Sequence, residues 1–405
     1  MTDSHLAPVV YLSKLSRQFP VSSNALYQVR DELLLQGVSI QDLVSGNVTQ
    51  HGMLFPQERL ISILQESAQK AQIYHPDSFG QSAARMAISE YYADQGVDIP
   101  ADQIVLTPGT SISYFYCFKL LADPGDEILA PTPSYPLFET VARLCDVQMT
   151  SYRLQEADHW AIDLDYLESQ VTTKTRALVL ISPHNPTGAV AGDRELKGLV
   201  EIAARHRLGI IADEVFSPFL FGLNQLPRPA RQNAPLVFTL NGFSKMLALP
   251  GIKLGWIGVS GEAEAVRQSL RSLEMISDTF LPVNEAVQFA VPGLLEVGRN
   301  FVPQYASWVR MCRDTAVEVF SSSRVLRFVA PVGGFHITVQ PAGGQDEERL
   351  AIRLLREAKI LVHPGYFYDI DGSHLVLSFV HEPAALRRHL LQVVEAASSI
   401  PSSSD

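Results

Sequence analysis

Short unbroken apolar runs alternate along this chain with stretches whose apolar positions recur every three or four residues. Ile104-Val105-Leu106-Thr107, Asp126 to Ala130, Ala177 to Ser182, Leu208 to Asp213 and Pro235 to Leu240 are runs of the first kind. Runs this short, bounded by Pro, Gly or Asn, read as strands buried on both faces. Gly255-Trp256-Ile257-Gly258-Val259 is a further candidate. Helical spacing lies between and before them. Leu60, Ile63, Leu64, Ala68 and Ala71 keep one face after Pro56, a residue suited to a helix's first turn. Ser111 to Leu121 predicts another helix, and Leu196, Leu199, Val200 and Ala203 a third.

Strands alternating with helices imply a mainly parallel α/β sheet, because parallel neighbours need a crossover connection. Ligands of such sheets bind beyond the carboxyl ends of the strands. After Pro282 the texture changes. Charged helical stretches lead to Val332-Gly333-Gly334-Phe335-His336-Ile337-Thr338-Val339, then a helical pattern over 347–358 and a strand from Leu375 to Val380. That order suits a second, smaller α+β unit. A chain of 405 residues, 46% of them hydrophobic, has enough apolar surface for both.

The formal charge of −11 argues against an electrostatic nucleic-acid binder. No apolar stretch is long enough to span a membrane. Cys117, Cys145 and Cys312 are odd in number and widely spaced, which points to neither a disulfide framework nor a metal cage and suits a reducing, cytoplasmic setting. Met1 to Pro8 has no long apolar region, so no signal peptide is expected, and the Ser-rich end from Ser398 to Asp405 is expected to fray.

Three strand ends carry candidate chemistry. Asn185 follows the first in Pro183-His184-Asn185-Pro186-Thr187-Gly188, Asp213 closes the second, and Lys245 follows the third in Asn241-Gly242-Phe243-Ser244-Lys245. A lysine beside a buried strand is costly, since desolvation disfavours its charge. A lysine, a carboxylate and an amide together are what pyridoxal 5'-phosphate (PLP) chemistry needs. The lysine carries the aldehyde as a Schiff base, and the carboxylate keeps the pyridine nitrogen protonated.

These landmarks, with Pro124-Gly125-Asp126-Glu127 and Pro133-Ser134-Tyr135-Pro136, resemble the class I/II aminotransferase family of PLP enzymes from about Leu43 to the final strand. The resemblance implies fold type I, in which helices flank a mainly parallel seven-stranded sheet and a smaller α+β domain is attached. It implies that residues 51–290 form the PLP-binding domain, that 291–405 form the small domain with 1–50, and that two copies make a homodimer with sites at the interface. It assigns the proton shuttle to Lys245, the pyridinium contact to Asp213 and a donor to the ring's phenolic oxygen to Asn185. Tyr135 would stack on the ring. Ser244 would bind the cofactor, and the strand-to-helix turn Gly109-Thr110-Ser111 would meet the phosphate, where a helix N-terminus offers free N–H groups and a positive dipole end. Tyr74 resembles a tyrosine that reaches the partner's phosphate. His75, His184, His336 and His363 flank motifs without metal-ligand spacing, and a structural role is expected for each.

The chain departs from the family pattern at four positions. Lys253 stands for a phosphate-gripping Arg, and it lacks the bidentate fork. Gly242 stands for a Ser. Phe216 stands for a Tyr and cannot donate to the phenolic oxygen. Val376 stands for the Arg that clamps the substrate's α-carboxylate. Three readings of that last change stay open: another cation such as Lys14 or Arg17, a substrate without a free α-carboxylate, or a shifted alignment. The resemblance implies amino transfer between a small-molecule amino donor and a keto acid, with a PLP-dependent lyase or synthase as the alternative. A ligand-sensing regulator lacks its basic DNA-binding part here, and retention of Lys245, Asp213 and Asn185 opposes a dead scaffold.

Overall fold

The computed structural model describes residues 11–18 and 24–398. Met1 to Pro8 and the Ser-rich end beyond Ser398 lie outside the described residues. The strands, in chain order, are β1 (Gln41–Asp42), β2 (Ile104–Thr107), β3 (Glu127–Thr132), β4 (Gln148–Gln155), β5 (Ala161–Ile162), β6 (Thr175–Ile181) and β7 (Gly209–Asp213). They continue with β8 (Leu236–Gly242), β9 (Gly255–Gly261), β10 (Leu326–Phe328), β11 (His336–Pro341), β12 (Ile360–Leu361), β13 (His363–Pro364) and β14 (Leu375–Ser378).

The large sheet runs β2-β9-β8-β7-β6-β3-β4-β5. Its middle, from β8 through β7, β6 and β3 to β4, is parallel, and β9 joins β8 and β2 antiparallel. The sheet is mainly parallel, as expected, with one strand more than the seven implied. The extra strand is the edge pair β5, antiparallel to β4. His159 and Trp160 turn the chain back to it at φ 54° and 63°, without the Gly or Asn that would mark such a turn in sequence.

Strand β6 shows why the runs were unbroken. Ala177, Val179 and Ile181 point into one apolar layer with Tyr114, Cys117 and Phe118, and Leu178 and Leu180 point into another with Leu196 and Leu199. A parallel strand covered on both faces has no polar side to show. The helices Thr110–Leu121 and Asp193–His206 provide the two covers. The carboxyl ends of the parallel strands β8, β7, β6, β3 and β4 then open on the same rim of the sheet.

The second sheet, β10-β11-β14-β13, is antiparallel throughout. Strand β1 pairs in parallel with β12, placing Gln41 opposite Ile360. The charged stretches after Pro282 form one helix, Glu285–Ser321, with Pro292 and Pro303 inside it. It packs on the helices Gln57–Lys70, Ser82–Ala93 and Pro383–Ser398. Of the face expected on Gln57–Lys70, Leu60, Ile63, Leu64 and Ala71 are half-buried, whereas Ala68 is exposed.

Candidate active site

A cavity of about 670 Å³ lies at the carboxyl ends of β6, β7 and β8. Three neighbouring strands deliver its central groups: Asn185 beyond β6, Asp213 at the end of β7, and Lys245 in the short helix Phe243–Met246 that follows β8. Of the residues expected from the sequence, Thr110, Ser111, Tyr135, Asn185, Asp213, Phe216, Ser244 and Lys245 line it.

Lys245 donates from Nζ to the Gly46 carbonyl at 3.3 Å, and the Phe216 and Phe335 rings lie 5.9 Å away on either count. Burial lowers its pKa from 10.5 to about 8. Gly46 is constrained by the same contact, because a Cβ there would stand 3.0 Å from that Nζ. Asp213 is 8% exposed. Its Oδ2 accepts from the Tyr114 hydroxyl at 2.8 Å and its Oδ1 from the Val215 amide at 3.0 Å. Burial nevertheless pushes the carboxyl up to about 6, with Glu214 adding to the rise and the two hydrogen bonds opposing it. A cation beside Asp213 would reverse that rise. Asn185 Oδ1 is buried without a hydrogen-bond partner, so a donor belongs in front of it. The buried lysine and the buried carboxylate fit a bound pyridinium ring carrying an aldehyde.

Other expected residues lie elsewhere. Gly109, at φ 123°, precedes the helix Thr110–Leu121 and does not line the cavity. Lys253 is exposed, at φ 56°, and also lies off the cavity lining. Tyr74 is 67% exposed and borders a separate surface recess with Pro76 and Leu281. The glycine at 242 has a steric cause. A Cβ there would meet the Leu254 carbonyl oxygen at 2.8 Å and the Gly255 Cα at 3.0 Å, so β8 and β9 exclude a serine.

Sequence reasoning missed Gly46, Tyr114, His336, His363 and Tyr368, all of which line the cavity. For the histidines, strand register was the one available signal: His336 faces Ser378 and His363 faces Val376 across the second sheet. His363 shares hydrogen bonds with the Tyr27 hydroxyl at 2.7 Å and the Tyr368 hydroxyl at 3.1 Å. Val376 is 2% exposed, packed with Trp160, Tyr368 and Ile370 and off the cavity lining. Lys14 and Arg17 are exposed and also lie off it.

Known proteins resemble this chain over most of its length. An alanine aminotransferase structure from Pyrococcus furiosus superposes with a TM-score of 0.89 at 22% identity, over 96% of this chain and 100% of its own. An Escherichia coli aminotransferase structure gives 0.86 at 25% identity, over 96% and 98%. The Escherichia coli K12 glutamate-pyruvate aminotransferase AlaA is 28% identical over 382 residues, 90% of this chain and 91% of its own. An alanine aminotransferase of Mycobacterium tuberculosis H37Rv is 27% identical over 366 residues, 84% of this chain and 83% of its own. The family model for aminotransferase class I and II matches residues 41–392, and the chain belongs to that family.

Proposed function

We propose that this aminotransferase works with pyridoxal 5'-phosphate held in the cavity, with Lys245 as the point of attachment. When bound, the group supplies an electron sink for the carbon that loses its proton. Asp213 holds the proton on the ring nitrogen. Tyr114 and Val215 fix the carboxylate's orientation by their hydrogen bonds to it. Asn185 would donate from its amide nitrogen to the ring's phenolic oxygen, and Tyr135 would cover one ring face. Thr110, Ser111 and Ser244 would hold the phosphate at the start of Thr110–Leu121, where the helix dipole favours an anion. Lys245, with its pKa lowered to about 8, takes the proton from the donor carbon and returns it. An amino donor and a keto acid exchange their groups through this site. The relatives' names specify glutamate, pyruvate and alanine.

The convergence of three adjacent strand ends on one cavity carries this reading. The test is an absorption spectrum of the protein with added PLP. A yellow band that Lys245→Ala abolishes, that an amino donor bleaches and that a keto acid restores is the expected result. A band that no donor bleaches reversibly moves the reaction to a lyase or synthase.

The reading includes the division into 1–50 with 291–405 and a separate 51–290, which the pairing of Gln41–Asp42 with Ile360–Leu361 supports. It includes a homodimer, supported by exposed Ile73, Tyr74, Met275 and Phe280 on segments joined by the Ser78–Asp278 hydrogen bond. It places the protein in the cytoplasm, consistent with free cysteines at 117, 145 and 312. No helix among the described residues is long and apolar enough to cross a membrane.

A further inference from the structure

Tyr114 lies one turn after Thr110 on the helix Thr110–Leu121, so the two share a helix face, and both line the cavity. The Tyr114 ring is 3% exposed and is gripped by T-shaped contacts with Phe118 at 6.0 Å and Phe138 at 4.8 Å. Those contacts hold its hydroxyl on Asp213, where it donates to Oδ2 at 2.8 Å. Burial, reinforced by the Asp213 charge, drives the phenol's pKa well above its ordinary range. The hydroxyl therefore keeps its proton and serves as a donor.

Asp213 is under opposed influences. Burial and the Glu214 charge favour its protonated form, and the hydrogen bonds from Val215 and Tyr114 favour the carboxylate. Tyr135 is a further titratable group coupled to it. Glu214 is itself paired with Arg228 at 2.7 Å. The Val215 bond comes from the main chain, so any residue but proline supplies it. The Tyr114 bond comes from a side chain and depends on residue type. A ring nitrogen beside Asp213 competes with the carboxylate for one proton. A donor to the charged carboxylate stabilises that form and leaves the proton on the nitrogen.

We propose that Tyr114 is a positioning residue for the reaction: by donating to Asp213 it keeps the shared proton on the cofactor's ring nitrogen and so sets the strength of the electron sink. The inference rests on the aminotransferase reading, in which Asp213 meets that nitrogen. No bond to Tyr114 forms or breaks. Its hydroxyl keeps its own proton, and only the place of the other proton, on Asp213 or on the nitrogen, is at stake. One helix thereby serves the phosphate at Thr110 and the ring's charge at Tyr114.

The test uses full-length protein loaded with PLP carrying a nitrogen-15 label in its ring, since nitrogen NMR separates a protonated from an unprotonated ring. The wild-type signal at neutral pH should be that of a pyridinium. In Tyr114→Phe, with the yellow band retained, it should move toward the unprotonated position, and the rate of bleaching by saturating L-alanine should fall at least tenfold. The protein without PLP gives a second readout, the infrared titration of the Asp213 carboxyl, assigned by its loss in Asp213→Asn. Its midpoint, about 6 in the wild type, should rise in Tyr114→Phe by about one to two pH units, the size of a hydrogen bond to a charged acceptor. Replacing Tyr114 by 3-fluorotyrosine, a stronger donor of nearly the same shape, should lower it, and this variant carries the test if Tyr114→Phe does not fold. An unmoved nitrogen signal in Tyr114→Phe, or an Asp213 midpoint that neither variant shifts, overturns the inference and leaves the aminotransferase reading intact. An unprotonated ring in the wild-type protein overturns both the inference and the role of Asp213 in that reading.

Discussion

Phe216 presents an aromatic edge to the cavity where the family pattern has a hydroxyl. Its ring packs against Phe335 at 4.9 Å and His336 at 5.9 Å, so it is held by contacts of its own. Without a donor to the cofactor's phenolic oxygen, the cofactor–lysine linkage keeps its proton to higher pH. A hydrogen bond to a charged acceptor contributes about 1.5–3 kcal/mol. Phe216→Tyr should therefore lower the titration midpoint of the yellow band by about one to two pH units, at 1.36 kcal/mol per unit. Spectrophotometric titration of both proteins measures this, and coincident midpoints would count against a role for the missing hydroxyl. Lys245, Asp213 and Asn185 were legible in the sequence because each follows or closes a buried run. His336 and His363 were not, because a histidine in an apolar strand looks the same whether it faces a core or a cavity. Lys253, placed by its spacing to Lys245 where the family has a phosphate-gripping Arg, is exposed at a left-handed φ and lies off the cavity lining.

At the scale of elements, the ends of β7 and β8 are held by features that do not touch the cavity. Arg228, 1% exposed, donates to Glu214 at 2.7 Å and to Gln95 Oε1 at 2.7 Å, tying the segment after Ser82–Ala93 to the residue next to Asp213. Arg228→Met should destabilise the fold by about 3–5 kcal/mol, because it strands a buried carboxylate. Adding Glu214→Gln should recover most of the loss, and urea unfolding of the single and double variants checks both. Gly242→Ser would restore the family's residue, yet it drives a side chain into the backbone of Leu254 and Gly255. Overpacking of this kind costs about 1–3 kcal/mol. Its urea midpoint should fall with no gain in PLP affinity. The strands and their order of chemistry were legible from apolar runs. The continuity of Glu285–Ser321 was not, since two prolines inside it each remove a helical hydrogen bond and read as stops.

For the whole molecule, acid is the condition that separates native from unfolded chains most clearly. His184, His336 and His363 are buried and neutral, with pKa values near 3, 3 and 4 set first by burial. Their unfolded value is 6.5, so between pH 6.5 and about 4 the unfolded chain binds more protons and stability falls as pH falls. Asp213 runs the other way, because its folded pKa of about 6 lies above its ordinary 3.8 and the native state gains a proton in that window. Three histidines outweigh one aspartate. The urea midpoint should drop between pH 7 and pH 5, and His363→Phe should shrink the drop. A midpoint that rises on acidification would mean these rings are protonated in the folded protein.

The pairing of β1 with β12 also sets a schedule for synthesis. Leu43, next to β1, donates to Leu361 at 3.0 Å and accepts from Ser378 at 2.6 Å, and Gly46 follows three residues later against Lys245. Gln41 and Asp42 leave the ribosome well before Ile360 and Leu361, which follow about 320 residues later. At roughly 5–20 residues per second, that is a wait of roughly 16–64 s. Strands β2 to β9 are complete long before then and can assemble around Lys245 without their final wall. A nascent chain stalled before Leu361 would hold the three strand ends and residues 41–46, and would lack the strands that fix those residues over the lysine.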